Sequence, residues 1–376
     1  MAQVEPWKKV LVSQEFFETE HGEMDCQDCH GGNPEATGMA ESHQGMVADP
    51  TFPDPSQICG DCHEEITENI GQSLHYTQGT YRPMVLERAS QNPQVIEKID
   101  LGMKNHCYDC HSSCGQCHVS RPDSVEGGFV LGHLFSKKSD MAEQCTACHG
   151  SRIGNEYLGR TGGGDVHFTE KQMDCTACHG SELHNAARTG AHDRYDADLP
   201  RCEKCHPSDE AYNKVEQHSV HAGKVQCQVC HSQKYANCSA CHIGKDSKGL
   251  PYYKNPKTVE SFKIGINPRQ DENHPAKWVL LRRVPGNQNL FDYYVKDALT
   301  NFDALPTWKY TTPHSIQRKT FQNRDCNNCH GKTKLFLTAK DVAFTNANRK
   351  VLVAKENIPA KIENEKEKSK KKKSYF

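Results

Sequence analysis

A chain of 376 residues with 46 basic and 48 acidic side chains has a formal charge of −2, so no charge excess marks it for nucleic acid. Its hydrophobic share of 35 % and mean hydropathy of −0.81 exclude a large aliphatic core. It contains no run of eighteen apolar residues, which excludes a membrane-spanning helix.

In chain order, one pentapeptide recurs. Cys-x-x-Cys-His stands at Cys26, Cys29 and His30, then at Cys59, Cys62 and His63, and at Cys107, Cys110 and His111. It returns at Cys114, Cys117 and His118, at Cys145, Cys148 and His149, and at Cys175, Cys178 and His179. Four more copies are Cys202, Cys205 and His206; Cys227, Cys230 and His231; Cys238, Cys241 and His242; and Cys326, Cys329 and His330. These ten copies use all 20 cysteines.

Cys-x-x-Cys-His is the attachment pattern of c-type haem. The two thiols form thioethers to one porphyrin edge, and the adjacent histidine binds the iron. A disulfide framework also needs an even cysteine count, but it does not need histidine after every second cysteine. Paired zinc sites want four ligands per metal and would not repeat histidine at one offset. A thioredoxin-like Cys-x-x-Cys is usually single. The reading is therefore ten covalent haems c, each bringing iron.

The histidines agree with that. Of 22, ten sit in the pentapeptides, leaving twelve for ten second axial positions. Bis-histidine ligation throughout is expected, with His21, His43, His75, His133, His167, His184, His192, His218, His221 and His314 as the distal ligands. His106 abuts Cys107 and His274 lies in the longest stretch without a pentapeptide, so these two rank last. Methionine is the other common partner, but the chain has only eight. No pentapeptide departs from the pattern, and nothing in the motifs marks an iron with an open position.

The expected fold is mostly irregular with short α-helices and a haem-packed core, because porphyrins supply the apolar surface that the side chains lack. Residues 1–242 form the expected nine-haem region. Two pairs of motifs are close: His111 and Cys114 are separated only by Ser112 and Ser113, and six residues separate His231 from Cys238. Residues 243–325 carry no pentapeptide and are rich in aromatics, including Tyr252, Phe262, Trp278, Phe291 and Trp308. Ser261–Ile266 and Lys277–Val284 read as short strands there, giving a small partly β arm or subdomain. Its aromatics are expected to pack on porphyrin faces. Residues 326–353 hold the tenth motif. Residues 354–376 form a Lys/Glu-rich tail, expected to be a solvated run or a docking segment for an acidic partner or a neighbouring subunit.

Haem attachment takes place outside the cytoplasm, so a periplasmic or extracellular protein is expected. Met1–Val12 lacks the apolar stretch and cleavage site of a secretory leader. The numbering is therefore expected to begin after a removed leader, or with the leader replaced.

The segments CQDCHGGNPEA, CGDCH with SLHYT, CYDCHSSCGQCHVSRP, GHLF, CTACHGSRIGNEYLG and PTWKYTTPHSIQR resemble a group of exported bacterial multihaem c-type cytochromes. The resemblance spans most of residues 21–340 and implies distal roles for His43, His75, His133, His167, His221 and His314. Among better-known groups, porin-plugging decahaem proteins are of similar size but space their haems more evenly. Filament-forming cytochromes share the tight pairs, which brings in a homopolymer beside redox partner proteins. Octahaem reductases sometimes use a proximal lysine, which is absent here. An electron carrier is thus the main expectation. The alternative is an oxidoreductase acting on a small nitrogen or sulfur compound at one open haem, with His274, Arg282 and Arg283 the first place to look.

Overall fold

The computed structural model describes residues 12–71, 73–110, 112–160, 162–184, 200–207, 209–237, 241–254, 258–272, 274–284, 286–343 and 345–363. Short helices and turns dominate. The longest helices are Ser56–Ile70 and Pro93–His106. Among the described residues, no helix is long and apolar enough to cross a membrane.

Seven short strands cluster late in the chain: β1 (Tyr235–Asn237), β2 (His242–Lys245), β3 (Pro251–Lys254), β4 (Val259–Ser261), β5 (Ile264–Ile266), β6 (Trp278–Arg283) and β7 (Trp308–Tyr310). They pair antiparallel as β1–β4, β2–β3 and β5–β6–β7. Register places Ile264 opposite Leu280 and Leu281 opposite Tyr310. The partly β, aromatic-rich segment expected from the sequence is thus present within a mostly irregular fold.

The chain forms two compact units. The first comprises Met1–Pro83, Asp100–Gly154 and Met173–Pro200 and carries six of the pentapeptides. Its only buried large apolar side chains among the described residues are Met103 and Val119. Met39, Met46, Phe17, Phe52 and Leu131 are exposed. Chain packing alone gives this unit almost no core.

The second unit comprises Met84–Ile99, Asn155–Gln172 and Arg201–Phe376 and holds the other four pentapeptides. Strand β6 is its centre. Successive side chains of a strand point to opposite faces. Leu280 accordingly packs with Val229, Tyr235, Phe262, Ile264 and Phe336. Its neighbours Val279 and Leu281 pack the other way, with Trp308, Leu337 and Val351. Both faces are covered, which is why β6 reads as a continuous apolar run.

Polar ties recruit the two upstream segments to this unit. Buried Arg88 donates to the carbonyls of Phe302 and Pro306. Glu156 pairs with Arg282 at 2.5 Å, with side chains 2 % and 7 % exposed. The second oxygen of Glu156 accepts the backbone N–H of His314 at 3.0 Å.

Candidate haem-ligand sites

Six of the pentapeptides open on a short helical turn, while Cys59–His63 lies within the longer Ser56–Ile70 helix and His242 begins β2. Cys26–His30, Cys114–His118 and Cys227–His231 are α-helical, whereas Cys175–Ala177, Cys202–Lys204 and Cys326–Asn328 are 3-10 turns. In a helical turn, residues three apart lie on one face, so both thiols of a motif point the same way. Several motifs begin with a side-chain cap. Ser113 accepts the N–H of Gln116, Asp174 that of Ala177 and Asp325 that of Asn327. Such caps are worth about 0.5–2 kcal/mol each. They also fix where the turn starts, and hence where the cysteines face.

Tertiary folding then brings histidines together. In the first unit His30 faces His133 with ring centres 6.1 Å apart, and His63 faces His21 at 6.2 Å. His149 faces His75 at 6.2 Å and His118 faces His184 at 5.8 Å. In the second unit His206 faces His167 at 5.9 Å, His231 faces His218 at 6.0 Å and His330 faces His221 at 6.2 Å. Each of these seven pairs joins one pentapeptide histidine to one histidine outside the motifs. Metal–imidazole bonds are about 2.0–2.1 Å long. With roughly 1 Å more from each nitrogen to its ring centre, two axial imidazoles on one iron stand about 6 Å apart. The seven spacings fit that donor set.

Ring orientation fits as well. The Nδ1 of His30 bonds the carbonyl of Val47 at 2.7 Å, that of His118 bonds Ser136 at 2.7 Å and that of His231 bonds Gln317 at 3.1 Å. His330 bonds Ala360 at 3.2 Å. On the facing side, His221 bonds Gln217 at 2.8 Å and His218 bonds Tyr212 at 3.2 Å. An Nδ1–H donated to a carbonyl selects the tautomer whose Nε2 is left for metal. Burial lowers the pKa of His21, His149, His184 and His231, favouring the neutral imidazole that ligates.

Thiols of different motifs also meet. Cys148 lies beside Cys110, Cys145 beside Cys175 and Cys202 beside Cys227. Cys59 lies near Cys114 and Cys29, and Cys329 lies near Cys230. Burial pushes the Cys59 and Cys329 thiols up to about 11. Neighbouring attachment points are thus close within each unit, and not in simple sequence order: the motif at Cys107 adjoins the one at Cys145.

Other candidates are placed differently. His111, His192 and Cys238 lie outside the described residues. His179 is described and is electrostatically close to His149. His106 ends the Pro93–His106 helix. His274 bonds Asp271 through Nδ1 at 3.0 Å and stands edge-on to Tyr310. His43 is exposed, with its Nδ1 on the Met39 carbonyl at 2.6 Å. His242 is engaged at Nε2, by the Asn287 amide at 2.9 Å. Arg282 is turned inward onto Glu156 and does not present itself to a substrate. Sequence reasoning missed Asp165, whose carboxylate holds His167. The Asp-x-His spacing was the signal, because an aspartate readily bonds groups two residues on.

Residues 58–150 match the family model described as cytochrome c554 and c-prime. The matched span contains four of the pentapeptides, those beginning at Cys59, Cys107, Cys114 and Cys145. No curated protein and no solved structure matches the chain. Over the matched quarter the chain is similar to that family, and this similarity supports a multihaem c-type cytochrome with covalent haem c and a role in electron transfer.

Proposed function

We propose that the chain conducts electrons along ten covalently held haems, outside the cytoplasm, with its irons held between paired histidines. The observation that carries this reading is the set of seven imidazole pairs at 5.8–6.2 Å. The pentapeptide histidines serve as proximal ligands and His21, His75, His133, His167, His184, His218 and His221 as distal ones. Haem supplies the one-electron chemistry when bound; the chain sets ligation, burial and spacing. Close attachment thiols, such as those of Cys110 and Cys148, keep neighbouring redox centres within hopping range. The scarcity of buried apolar side chains in the first unit supports haem as its core.

The filament variant of this reading rests on His43. Its Nδ1 is anchored four residues back, as that of His221 is, yet no pentapeptide histidine in its own unit stands in ring contact with it among the described residues. Met39, Met46 and Val47, near it in the sequence, are exposed. In the other unit, His242 faces the Asn287 amide, and among the described residues no imidazole stands in ring contact with it. In the filament reading, the exposed His43 of one copy serves an iron of the next copy through a head-to-tail, non-closing contact. The enzymatic alternative leaves the His242 iron open, with Asn287 beside it.

The test is mass spectrometry and EPR of the fully oxidised, haem-loaded protein at several concentrations, with electron microscopy alongside. Ten haems per chain, all low-spin, support the conduit. Low-spin signal that falls on dilution supports the filament. One high-spin iron at every concentration, with uptake of nitrite or sulfite, supports the enzyme. Fewer than ten haems on a fully processed chain removes the count.

A further inference from the structure

We propose that Asp165 is a positioning and tuning residue that makes the haem attached at Cys202 and Cys205 the most oxidised-favouring centre of its unit. The inference rests on the reading of His206 and His167 as the axial pair of that haem.

His30, His43, His118, His218, His221, His231 and His330 lean on neutral backbone carbonyls through Nδ1. His167 differs: its Nδ1 donates to Asp165 Oδ1 at 2.8 Å. The Asp165 side chain is 3 % exposed, so its charge is poorly screened by water. The site is built, not incidental. Asp165 caps the Val166–Thr169 turn, its Oδ1 also accepting the N–H of His167 at 2.9 Å. Its Oδ2 accepts the N–H of Ile316 at 2.9 Å, and the Ile316 carbonyl accepts the N–H of Val166 at 2.8 Å. The Asp165 carbonyl takes the hydroxyl of Thr169 at 2.9 Å. Capping alone needs one oxygen on one N–H, and serine serves as well. Holding the imidazole N–H as well, with the Ile316 N–H on the other side, takes the two acceptor oxygens of a carboxylate and brings its charge to the imidazole.

The consequence follows from ligand basicity. A carboxylate on Nδ1 draws that proton and raises electron donation from Nε2. A stronger donor and a fixed negative charge both favour Fe(III) over Fe(II), so this centre gives up its electron more readily than its neighbours. Cys202 adjoins Cys227, the next attachment point in the unit. Electrons arriving at the Cys202 haem are therefore biased to move on to the Cys227 haem, which gives the short string of centres a direction.

The experiment is a spectroelectrochemical titration of the haem-loaded full chain beside Asp165→Asn, with low-spin haem counted by EPR. One redox component should move to higher potential while the other components and the low-spin count stay unchanged. An Asp271→Asn control, beside His274, should move nothing. A purely structural Asp165 would instead lose one low-spin haem without a selective shift. If the variant does not fold, near-infrared magnetic circular dichroism of the wild type decides. One ligand-to-metal band set to higher energy than the rest supports the tuning, and a single unresolved band overturns it. Superposable titrations with intact low-spin haem also overturn it. Absence of haem from Cys202 in the mass spectrum of a tryptic digest would mark failure of the axial-pair reading instead.

Discussion

His75 and His149 are 74 positions apart in the chain, yet their ring centres stand 6.2 Å apart at an interplanar angle of 74°. His75 sits on the Leu74–Thr77 turn, whose N-cap Ser73 accepts the N–H of Tyr76. The His75 carbonyl also accepts both the N–H and the hydroxyl of Ser112. That bond ties the turn to the stretch between two pentapeptides.

His75→Ala should therefore open one axial position while leaving the main-chain bonds to Ser112 in place. We expect one iron per chain to become high-spin, and the reduced protein to bind one equivalent of carbon monoxide. An unchanged low-spin count and no carbon monoxide uptake would remove His75 from the ligand set.

The planes of the paired rings divide into groups. His30–His133, His75–His149 and His221–His330 are near perpendicular at 74°, 74° and 73°. His21–His63 and His118–His184 are near parallel at 20° and 24°. Perpendicular axial planes leave the low-spin iron d-orbitals nearly degenerate and give highly anisotropic EPR signals, while parallel planes give rhombic ones. Both classes should appear in the oxidised protein, with the anisotropic class the larger. A spectrum with only rhombic signals would contradict these orientations.

Glu156 and Arg282 form a pair that is nearly solvent-free. Removing one partner of such a pair strands a buried charge and costs about 3–5 kcal/mol. Glu156→Ala should lower the denaturant midpoint of the second unit accordingly, and should loosen His314, whose N–H that carboxylate also holds. Asp100→Ala is the contrast. Its bridge to Arg82 is 39 % and 48 % exposed, and such pairs are worth about 0–1 kcal/mol. Equal losses in the two variants would refute the distinction.

Without haem the two units should behave differently. Among the described residues the first has Met103 and Val119 as its buried large apolar residues, while the second has the β6 core. A chain made without haem attachment should exchange its amide hydrogens rapidly around Cys107–His149. Protection should persist at Val279, Leu280 and Leu281. Leu280→Ala, at a cost of about 2–5 kcal/mol, should erase that residual protection. Equal protection in both regions would mean that haem is not the first unit's core.

Much of the local structure was legible in advance. The Ser261–Ile266 and Lys277–Val284 runs read as strands, and β5 and β6 fall within them. The register of β5 against β6 was not legible, because it depends on which face of each strand meets which core cluster. The Cys-x-x-Cys-His turns were legible because five consecutive residues make each one. Asp165 was visible only as an ordinary aspartate until Ile316, 151 residues on, was found against its second oxygen.

The same division holds for the ligands. Number, kind and order of the haem attachment motifs are properties of the sequence alone, because two thiols and a histidine within one helical turn need no other part of the chain. Which histidine faces which is decided only by tertiary structure. The seven pairs span separations from 13 residues, His218 to His231, to 109 residues, His221 to His330. A bond made through space to an imidazole places no condition on the length of chain between the partners. It requires only that packing, caps and carbonyl anchors bring the two rings to one distance.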